Sequence, residues 1–428
     1  MTRYALDAGV QRFGRVLVGG SPLRLFRVTD AGAGVVERIA GGDELGDASD
    51  SKLVTALLDA GAIHPLPERA TLGPADVTIV TPVHQRRDRR LRFAPEAIVV
   101  DDGSPEAVAG ATLRFEHNRG PGAARNAGMA LVHTALVAFV DDDVELPDGW
   151  LEPLLGHFRD PSVGLVAPRV VTPDDGSPVA AYERAASPLD LGRQPARIRA
   201  GTRVSYVPAA AIVCRVDAVQ EIGGFDERLR FGEDVDLVWR LDASGWRCRY
   251  EPASEVAHPA RPTWPEWMRQ RITYGSSTAP LAQRHRGALA PIRMSGWSIT
   301  AWALAMLAPP VGMVAGAAVG TGSAAALVRK LHDVPPRAAF RLAFVGNLRA
   351  GAQIANAVRR VWWPLLAVAA IRSSTARRVL ALSVLAARAP LPLLDDVAFS
   401  VGVWRGIVTE RTLAPLVPDI TSWPGKQA

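Results

Sequence analysis

Two short apolar runs that each end in a block of carboxylates most constrain what this chain can fold into. Residues 97–102 are Ala-Ile-Val-Val-Asp-Asp, and residues 136–143 are Leu-Val-Ala-Phe-Val-Asp-Asp-Asp. Apolar runs of this length, bounded by turn-forming residues, are typical of strands buried in a sheet. Acidic residues at the carboxyl ends of such strands lie where open α/β sheets bind their ligands. The pattern therefore predicts an α/β domain with a ligand site at one edge of its sheet.

The stretch around these runs alternates strand and helix patterns, as βαβ units do. Strands are expected at residues 77–82, 97–100, 113–116 and 136–140, and a helix is expected at residues 122–131. Strands that alternate with helices indicate a mostly parallel, doubly wound sheet. We assign residues 71–290 to this domain.

Residues 1–70 have the pattern of a separate, small α+β domain. A hairpin is expected at residues 15–28, because two apolar stretches flank a Gly-Gly-Ser-Pro turn. Helices should follow at residues 30–39 and 52–60, each with a polar cap and a glycine stop. One hairpin and helices in so short a segment match the content of a winged-helix domain. Prolines and glycines at residues 65–74 predict the linker to the next domain.

Residues 291–428 are basic and apolar, with 15 Lys/Arg and 5 Asp/Glu for a net charge of +10, whereas residues 1–290 carry −4. Residues 295–328 contain no charged side chain, and about 20 apolar residues suffice to span a bilayer. Two interpretations stay open for this helical region. It lies on or in an anionic membrane, or it packs its apolar faces on the catalytic body. We expect a cytoplasmic chain at the inner face of the cell membrane.

The composition narrows the classes of partner. With 48% hydrophobic and 21% charged residues, the chain is globular. Aromatic residues interleaved with lysine, which would stack on bases, are missing, so no nucleic-acid partner is expected. Cys214 and Cys248 are isolated and lack metal-ligand spacing, which favours a reduced chain.

The segment 118–128, Asn-Arg-Gly-Pro-Gly-Ala-Ala-Arg-Asn-Ala-Gly, begins the predicted helix and is partly similar to a dinucleotide-binding fingerprint. Arg125 stands in place of the third glycine of that fingerprint. The Gly-Lys-Ser/Thr of a P-loop is also missing. A glycine-rich helix start still favours anions, because its free N–H groups point towards them. We therefore expect a nucleotide here, but neither a dehydrogenase nor a P-loop enzyme.

Two further acidic motifs and one histidine carry candidate chemistry. Asp141 and Asp143 are alternate residues, which an extended strand end would place on the same side. They could share a Mg²⁺ or Mn²⁺ that also binds both phosphates of a donor. Glu233-Asp234 begins a predicted helix and supplies either a base for an acceptor hydroxyl or a charge that the helix N-terminus favours. His258 is either a further metal ligand or a buried, hydrogen-bonded histidine.

The order of these motifs is more specific than any one of them. Asp-Asp-Gly-Ser, Gly-x-Gly-x-Ala-Arg-Asn-x-Gly, Asp-x-Asp, Gly-Gly-Phe-Asp-Glu, Gly-Glu-Asp-x-Asp-Leu and a trailing histidine follow one another within residues 76–275. This order resembles the family 2 glycosyltransferases of GT-A fold, which are Rossmann-like transferases of nucleotide-diphospho-sugars. The resemblance implies an inverting, metal-dependent glycosyltransferase whose donor is a UDP-sugar.

The same resemblance implies roles for individual residues. The metal ligands are expected to be Asp141, Asp143 and His258, and the base is expected to be Asp234 with Glu233 beside it. The donor-binding set is expected to comprise Pro82, Val83, Asp101, Asp102, Gly122, Arg125, Asn126, Arg269 and Arg271. Within this set the two carboxylates are expected to bind the uridine, and the last two arginines the diphosphate or the acceptor.

Residues 1–70 resemble the small winged-helix domains that bind precursor peptides in peptide-derived cofactor pathways. Such a domain before a family 2 domain and a hydrophobic tail resembles the mycofactocin-system glycosyltransferases of actinobacteria. This implies glucose transfer from UDP-glucose to a peptide-derived redox cofactor precursor. Two other classes stay open, a membrane polysaccharide synthase and a non-catalytic peptide-binding scaffold. The synthase is less favoured, because the residues from Gln270 to Tyr274 do not match the processivity motif Gln-x-x-Arg-Trp.

Overall fold

The computed structural model describes residues 3–46, 51–66, 70–85, 96–307 and 309–422. The chain divides into two compact units, Met1–Trp267 and Met268–Ala428. The division into three domains that the sequence suggests, at residues 1–70, 71–290 and 291–428, stays a prediction.

Among its described residues, the N-terminal part of the first unit contains five strands and two α-helices. The elements are β1 Tyr4–Leu6, β2 Gln11–Phe13, β3 Val16–Gly19, β4 Arg24–Arg27, α1 Asp30–Gly41, α2 Lys52–Asp59 and β5 Ile63–Pro65. Strands β2, β3 and β4 form an antiparallel sheet, and β1 pairs with β5. The predicted hairpin and both predicted helices are present. The assignment of these elements to a winged-helix domain stays a prediction.

Local signals fix where these helices begin and end. The Thr29 side chain accepts a hydrogen bond from the Gly32 N–H at the start of α1, and Gly42 ends the helix with φ 78°. The Ser51 side chain caps α2 in the same way. The apolar faces of both helices pack over β3 and β5 in one buried core. Its fully buried members include Leu17, Val36, Ile39, Val54, Leu57 and Ile63.

An eight-stranded sheet forms the rest of the first unit. Its strands are β6 Val77–Val83, β7 Ile98–Asp101, β8 Leu113–Arg114, β9 Leu136–Val140, β10 Val163–Val171, β11 Ala196–Ile198, β12 Ala211–Arg215 and β13 Arg247–Ala257. They are ordered β11-β13-β10-β12-β9-β6-β7-β8. The helices are α3 Pro121–Met129, α4 Glu152–Leu155, α5 Pro178–Ala186, α6 Val216–Glu221 and α7 Glu233–Ala243, with 3-10 turns at Pro74–Asp76 and Gly156–Arg159.

The sheet is mixed but mostly parallel, as predicted, because six of its eight strands run in one direction. The four predicted strands, β6 to β9, are indeed parallel to one another. Strand β12, however, is antiparallel to both of its neighbours, β9 and β10, and β11 is antiparallel to β13. The prediction rested on strands before residue 141, and the antiparallel strands all come later in the chain. An antiparallel strand needs no helical crossover, so the βαβ pattern of the sequence does not predict it.

The second unit consists mainly of helices. Its elements are α8 Trp264–Ser276, which begins in the first unit, α9 Thr278–Arg284, β14 Arg293–Ser295, α10 Gly296–Leu307, α11 Val311–Lys330, α12 Pro336–Ala357, a π-helical turn Val358–Trp362, α13 Trp363–Ala370, α14 Ser374–Leu385, α15 Pro390–Glu410, a 3-10 turn Ala414–Leu416 and β15 Asp419–Ser422. Helices α10 and α11 approach closely at two glycines. A Cβ on Gly312 would lie 2.2 Å from the Leu304 carbonyl oxygen, and one on Gly316 would lie 2.4 Å from that of Ala301.

One helix among the described residues, α11, is long and apolar enough to cross a membrane. Only 17% of the most apolar 18-residue stretch of this helix is buried, whereas a core helix of this length would be mostly buried. Val311, Val314, Val368 and Ile371 in this unit are each more than 70% exposed. The second unit therefore presents an unusually apolar surface to its surroundings.

Candidate active site

The ends of three parallel strands bring the first predicted site residues to one edge of the sheet. Pro82 and Val83 end β6, and Val83 pairs in register with Asp101, the last residue of β7. Strand β9 lies on the other side of β6 and is followed directly by Asp141. The structure thus places residues from 82–83, 101–102 and 141–143 at the edge where the sequence predicts a ligand.

The Asp101 carboxylate is fully buried and is bound by groups of its own loop. Its oxygens accept from the Ser104 N–H at 2.8 Å, the Val108 N–H at 3.1 Å and Arg114 Nη1 at 3.0 Å. Burial alone would raise the pKa of Asp101, but the Ser104 and Val108 hydrogen bonds and the charge of Arg114 outweigh it and lower the pKa. Asp101 therefore stays ionised and fixes the loop that leaves β7.

The Asp102 carboxylate holds the segment that leads into α3. It accepts from Asn118 Nδ2 at 2.9 Å, the Arg119 N–H at 2.7 Å and the Gly120 N–H at 2.9 Å. Like its neighbour Asp101, it makes these hydrogen bonds within the chain. The predicted contact of both carboxylates with uridine stays a prediction, and it requires a donor that shares or displaces these partners.

Helix α3 is joined to the segment 223–227 by two of the predicted donor-binding residues. The Asn126 side chain donates to the Phe225 carbonyl at 2.9 Å and accepts from the Phe225 N–H at 2.8 Å. A Cβ on Gly122 would lie 3.4 Å from the Cβ of Phe225, so the helix start packs tightly on this segment. Both residues therefore position the Gly-Gly-Phe-Asp-Glu motif.

Arg125 bridges the two acidic motifs, an arrangement that the sequence did not predict. Its Nη2 lies 2.6 Å from Asp141 Oδ1, and its Nη1 lies 2.7 Å from Glu233 Oε1. The guanidinium also stacks on the ring of Phe225, 5.3 Å from the ring centroid. Burial opposes the charge of Arg125, but Asp141 and Glu233 outweigh it and raise the pKa of Arg125. The replacement of a fingerprint glycine by arginine was the available signal for this role.

Glu233 and Asp234 begin α7 in a poorly solvated setting. Burial, followed by the charge of Asp234, raises the pKa of Glu233 to about 7 against the opposing effect of Arg125. Burial is also the main reason that the pKa of Asp234 is raised. Asp234 is half-buried, and its Oδ2 accepts from the Ala209 N–H at 3.2 Å. A partly exposed carboxylate with a raised pKa has the properties of a general base.

The acidic triplet turns away from strand β9, which corrects the expectation of an extended strand end. The Val144 N–H donates to the Asp141 carbonyl at 3.2 Å, and this closes a turn over the triplet. Consequently Asp141 faces Arg125, whereas Asp143 faces a different partner. A carboxylate triplet favours turns as well as strand ends, and here the turn prevails.

Asp143 is instead brought to His258, the residue after β13. His258 Nε2 lies 3.3 Å from Asp143 Oδ1, and Arg261 Nη1 lies 3.7 Å from Asp143 Oδ2. Across the described ranges, no group of three or more His, Cys, Asp or Glu side chains is close enough to hold a metal ion. One or two protein ligands nevertheless fit Mg²⁺ or Mn²⁺, which in nucleotide sites fill most positions with water and phosphate oxygens. Sequence reasoning missed Arg261, whose only signal is its place three residues after the histidine.

The two last predicted donor residues belong to the second unit. Arg269 is exposed on α8. Arg271 is buried, with its Nε 3.0 Å from Asp395 Oδ1 and its guanidinium 5.9 Å from the ring centroid of Tyr274. Their contact with a diphosphate or an acceptor stays a prediction, and Arg271 makes a buried ion pair within its own unit.

Comparison with known proteins identifies the family of the chain. The family model of glycosyl transferase family 2 matches residues 90–223. The pre-mycofactocin glycosyltransferase of Mycobacterium tuberculosis is 40% identical over 95% of this chain and 95% of its own. The succinoglycan biosynthesis protein ExoU of Rhizobium meliloti is 31% identical over 41% of this chain and 59% of its own.

Among solved structures, the chain is similar to the mannosyltransferase PcManGT from Pyrobaculum calidifontis in complex with GDP-Man and Mn²⁺. It shares 15% sequence identity at a TM-score of 0.44, over 80% of this chain and 91% of that one. The assignment rests on the sequence relatives, since the identity to the mycobacterial protein extends over nearly the whole of both chains. The chain is a glycosyltransferase with a mixed-sheet GT-A domain, and it belongs to the family of the pre-mycofactocin glycosyltransferases.

Proposed function

We propose that this glycosyltransferase moves glucose from UDP-glucose to a peptide-derived redox cofactor precursor, with inversion at the anomeric carbon and with a divalent cation. The proposal on the acceptor is supported by the 40% identity to a pre-mycofactocin glycosyltransferase over 95% of both chains. The observation that carries the chemistry is the setting of Asp234, a half-buried carboxylate at the start of α7 with a raised pKa.

The proposed base is Asp234, with Glu233 as its support. The Asp234 carboxylate takes the proton from the acceptor hydroxyl while that oxygen attacks the anomeric carbon opposite the leaving group. The bond from the anomeric carbon to the diphosphate oxygen breaks, and the nucleoside diphosphate leaves with the electron pair. Glu233 is less suited to the proton transfer, because it is buried and bound to Arg125 at 2.7 Å.

Asp143 and His258, which lie 3.3 Å apart, are the proposed metal ligands, and Asp141 is proposed to join them as the third only when the ion and the donor are bound. Arg125 binds Asp141 Oδ1, and Asp141 Oδ2 is proposed to face the ion. A bound Mg²⁺ or Mn²⁺ would supply positive charge to the leaving diphosphate. The donor nucleotide is proposed to lie along the edge formed by residues 82–83 and 101–102.

The test is a donor screen that measures release of free nucleoside diphosphate, with UDP-glucose, other UDP-sugars and GDP-mannose. We expect turnover with UDP-glucose, dependent on Mn²⁺ or Mg²⁺ and abolished by EDTA. Asp234→Asn should lose turnover but retain donor affinity in calorimetry, and Asp217→Asn on the surface of α6 is its matched control. Full turnover in excess EDTA contradicts the metal, and donor affinity lost together with turnover moves Asp234 to donor binding.

We also propose that residues 291–428 attach the enzyme to the inner face of the cell membrane. The net charge of +10 and the exposed apolar side chains of the second unit support this over the alternative of a fully packed helical region. Each basic residue near an anionic leaflet contributes on the order of 1 kcal/mol. The peptide-recognition role of residues 1–70 is part of the same proposal, as the module that presents the acceptor.

A further inference from the structure

Four arginines lie together at the edge of the central sheet, and we refer to Arg197, Arg199, Arg247 and Arg249 as the arginine cluster. Arg197 of β11 stands directly opposite Arg249 of β13 in the antiparallel register. Arg247 precedes Arg249 by two residues, and Arg199 follows Arg197 by two. Arg247 and Arg249 are alternate residues of β13, so their side chains point to the same face of the sheet. Arg199 lies just past the end of β11 and joins the cluster through Asp242, which also binds Arg197.

Two aspartates from neighbouring helices reach this cluster. Asp59, the last residue of α2, makes an ion pair with Arg197 Nη1. Asp242, near the end of α7, accepts from Arg197 Nη2 at 3.0 Å and from Arg199 Nε at 2.9 Å. Arg197 therefore links the N-terminal segment of the chain to the helix that carries Glu233 and Asp234.

A third aspartate, Asp160, makes its ion pair with Arg247. Arg247 Nη1 lies 3.1 Å from Asp160 Oδ2, and its Nε lies 3.5 Å from Asp59 Oδ1. The four guanidinium groups are thus matched by three carboxylates, those of Asp59, Asp160 and Asp242. Among the described residues, the cluster therefore carries one more positive charge than its ion-pair partners carry negative charges.

The unmatched charge belongs to Arg249, which lies at the floor of the cluster. This residue is only 2% exposed, and within the described part of the chain its Nε and Nη1 atoms have no hydrogen-bond acceptor. Burial, reinforced by the charge of Arg247, lowers the pKa of Arg249 to about 10. Buried charges in proteins are normally paired, and a water molecule would satisfy the N–H groups but not the charge.

We propose that the arginine cluster is a binding site for a small inorganic anion, chloride or phosphate, which accepts hydrogen bonds from Nε and Nη1 of Arg249 and balances the unmatched charge. The rim is open to solvent, because the side chains of Arg199, Arg247 and Asp59 are 36%, 18% and 40% exposed. A bound anion would join β13 to α2 and to the end of α7. The site thus stabilises the contact between the N-terminal segment and the catalytic sheet.

The first test uses the full-length protein at constant ionic strength, with sodium gluconate replaced stepwise by chloride or by phosphate. Ligands that bind only the folded state raise its melting temperature with concentration. We expect a rise of several degrees that saturates with chloride, with phosphate or with both, and the two titrations identify the occupant. Equal melting temperatures in all three salts would overturn the proposal.

A variant separates this site from the proposed donor site, which would also bind phosphate. Arg249→Met should abolish the anion-dependent rise, whereas Arg24→Met, a change at an exposed arginine of β4, should leave it intact. An undiminished rise in Arg249→Met contradicts the assignment. A measurement without any variant is also available, because crystals soaked in bromide should show an anomalous peak within hydrogen-bond distance of Arg249 Nε. Crystals soaked in phosphate test the other occupant, and the absence of density beside Arg249 Nε in both soaks would equally refute the site.

Discussion

Replacing Arg125 by methionine is the most direct perturbation of this active site. Methionine retains the apolar contact with Phe225 but removes the guanidinium that joins Asp141 to Glu233. The side chains of Arg125 and Glu233 are only 4% and 8% exposed, so the variant leaves a buried carboxylate without its cation. Glu233 must then either stay ionised in a poor solvent or take up a proton.

The structure sets the size and the pH dependence of the effect. Removal of one partner of a buried ion pair costs about 3–5 kcal/mol. For a unit of this size, that lowers the melting temperature by on the order of 10 °C. Because the pKa of Glu233 is about 7, the carboxyl is largely protonated at pH 6 in either protein, and the loss should be smaller there than at pH 8.

Thermal unfolding of wild type, Arg125→Met, Glu233→Gln and the double variant at pH 6 and pH 8 measures this coupling. The double variant should be more stable than Arg125→Met, because glutamine leaves no buried charge. Arg228→Met is the matched control, since that side chain is 82% exposed and pairs with Asp226 at the surface. A double variant no more stable than Arg125→Met, or a loss independent of pH, refutes the ion pair as the support of α7.

Three further predictions concern the metal, the proton and the membrane. Asp143→Ala should abolish the Mn²⁺-dependent rise in melting temperature while the metal-free protein unfolds as wild type does; retained Mn²⁺ binding places the ion elsewhere. The pKa of Glu233 rises from 4.5 in the unfolded chain to about 7 in the folded one, so the free energy of unfolding should fall by at most about 3 kcal/mol as pH rises between these values. Glu233→Gln should remove that part of the fall, and an unchanged pH profile argues against the raised pKa. The full-length protein should co-sediment with anionic vesicles at low salt and less so at high salt, because the Debye length shrinks from about 10 Å at 0.1 M to about 3 Å at 1 M. The absence of vesicle binding at low salt would rule out the proposed membrane attachment.

The strand-end carboxylates predicted the location of the site because their signal is local. A buried strand followed by acidic residues requires no knowledge of distant contacts, and Asp101 and Asp141 lie at the expected edge. The same holds for α3 and α7, whose start signals lie within a few residues of the helix. Strand β12 was not predicted, because no local sequence signal indicates its direction or its neighbouring strands.

The sequence could not predict which side chains pair with one another, for a similar reason. Arg125 reaches Glu233 across 108 residues, and His258 reaches Asp143 across 115 residues of chain that the fold brings together. The expectation that Asp141 and Asp143 act from one side assumed an extended backbone, but the turn closed by the Val144 N–H separates them. Only the three-dimensional arrangement assigns each carboxylate its partner.

The raised pKa values at the start of α7 show which electrostatic effect dominates the proposed base. Glu233, Asp234 and Asp236 all lie in the first turn, where the helix dipole stabilises negative charge by about 0.3–1 kcal/mol. That is less than the 1.36 kcal/mol that corresponds to one pKa unit, so the dipole alone would lower these values only slightly. Burial and the mutual repulsion of adjacent carboxylates act in the opposite direction, and for Glu233 they prevail even against the charge of Arg125. The proton affinity of Glu233 and Asp234 is therefore set mainly by desolvation. A substitution that admits water beside Asp234 should weaken the base more than a substitution that alters the helix itself.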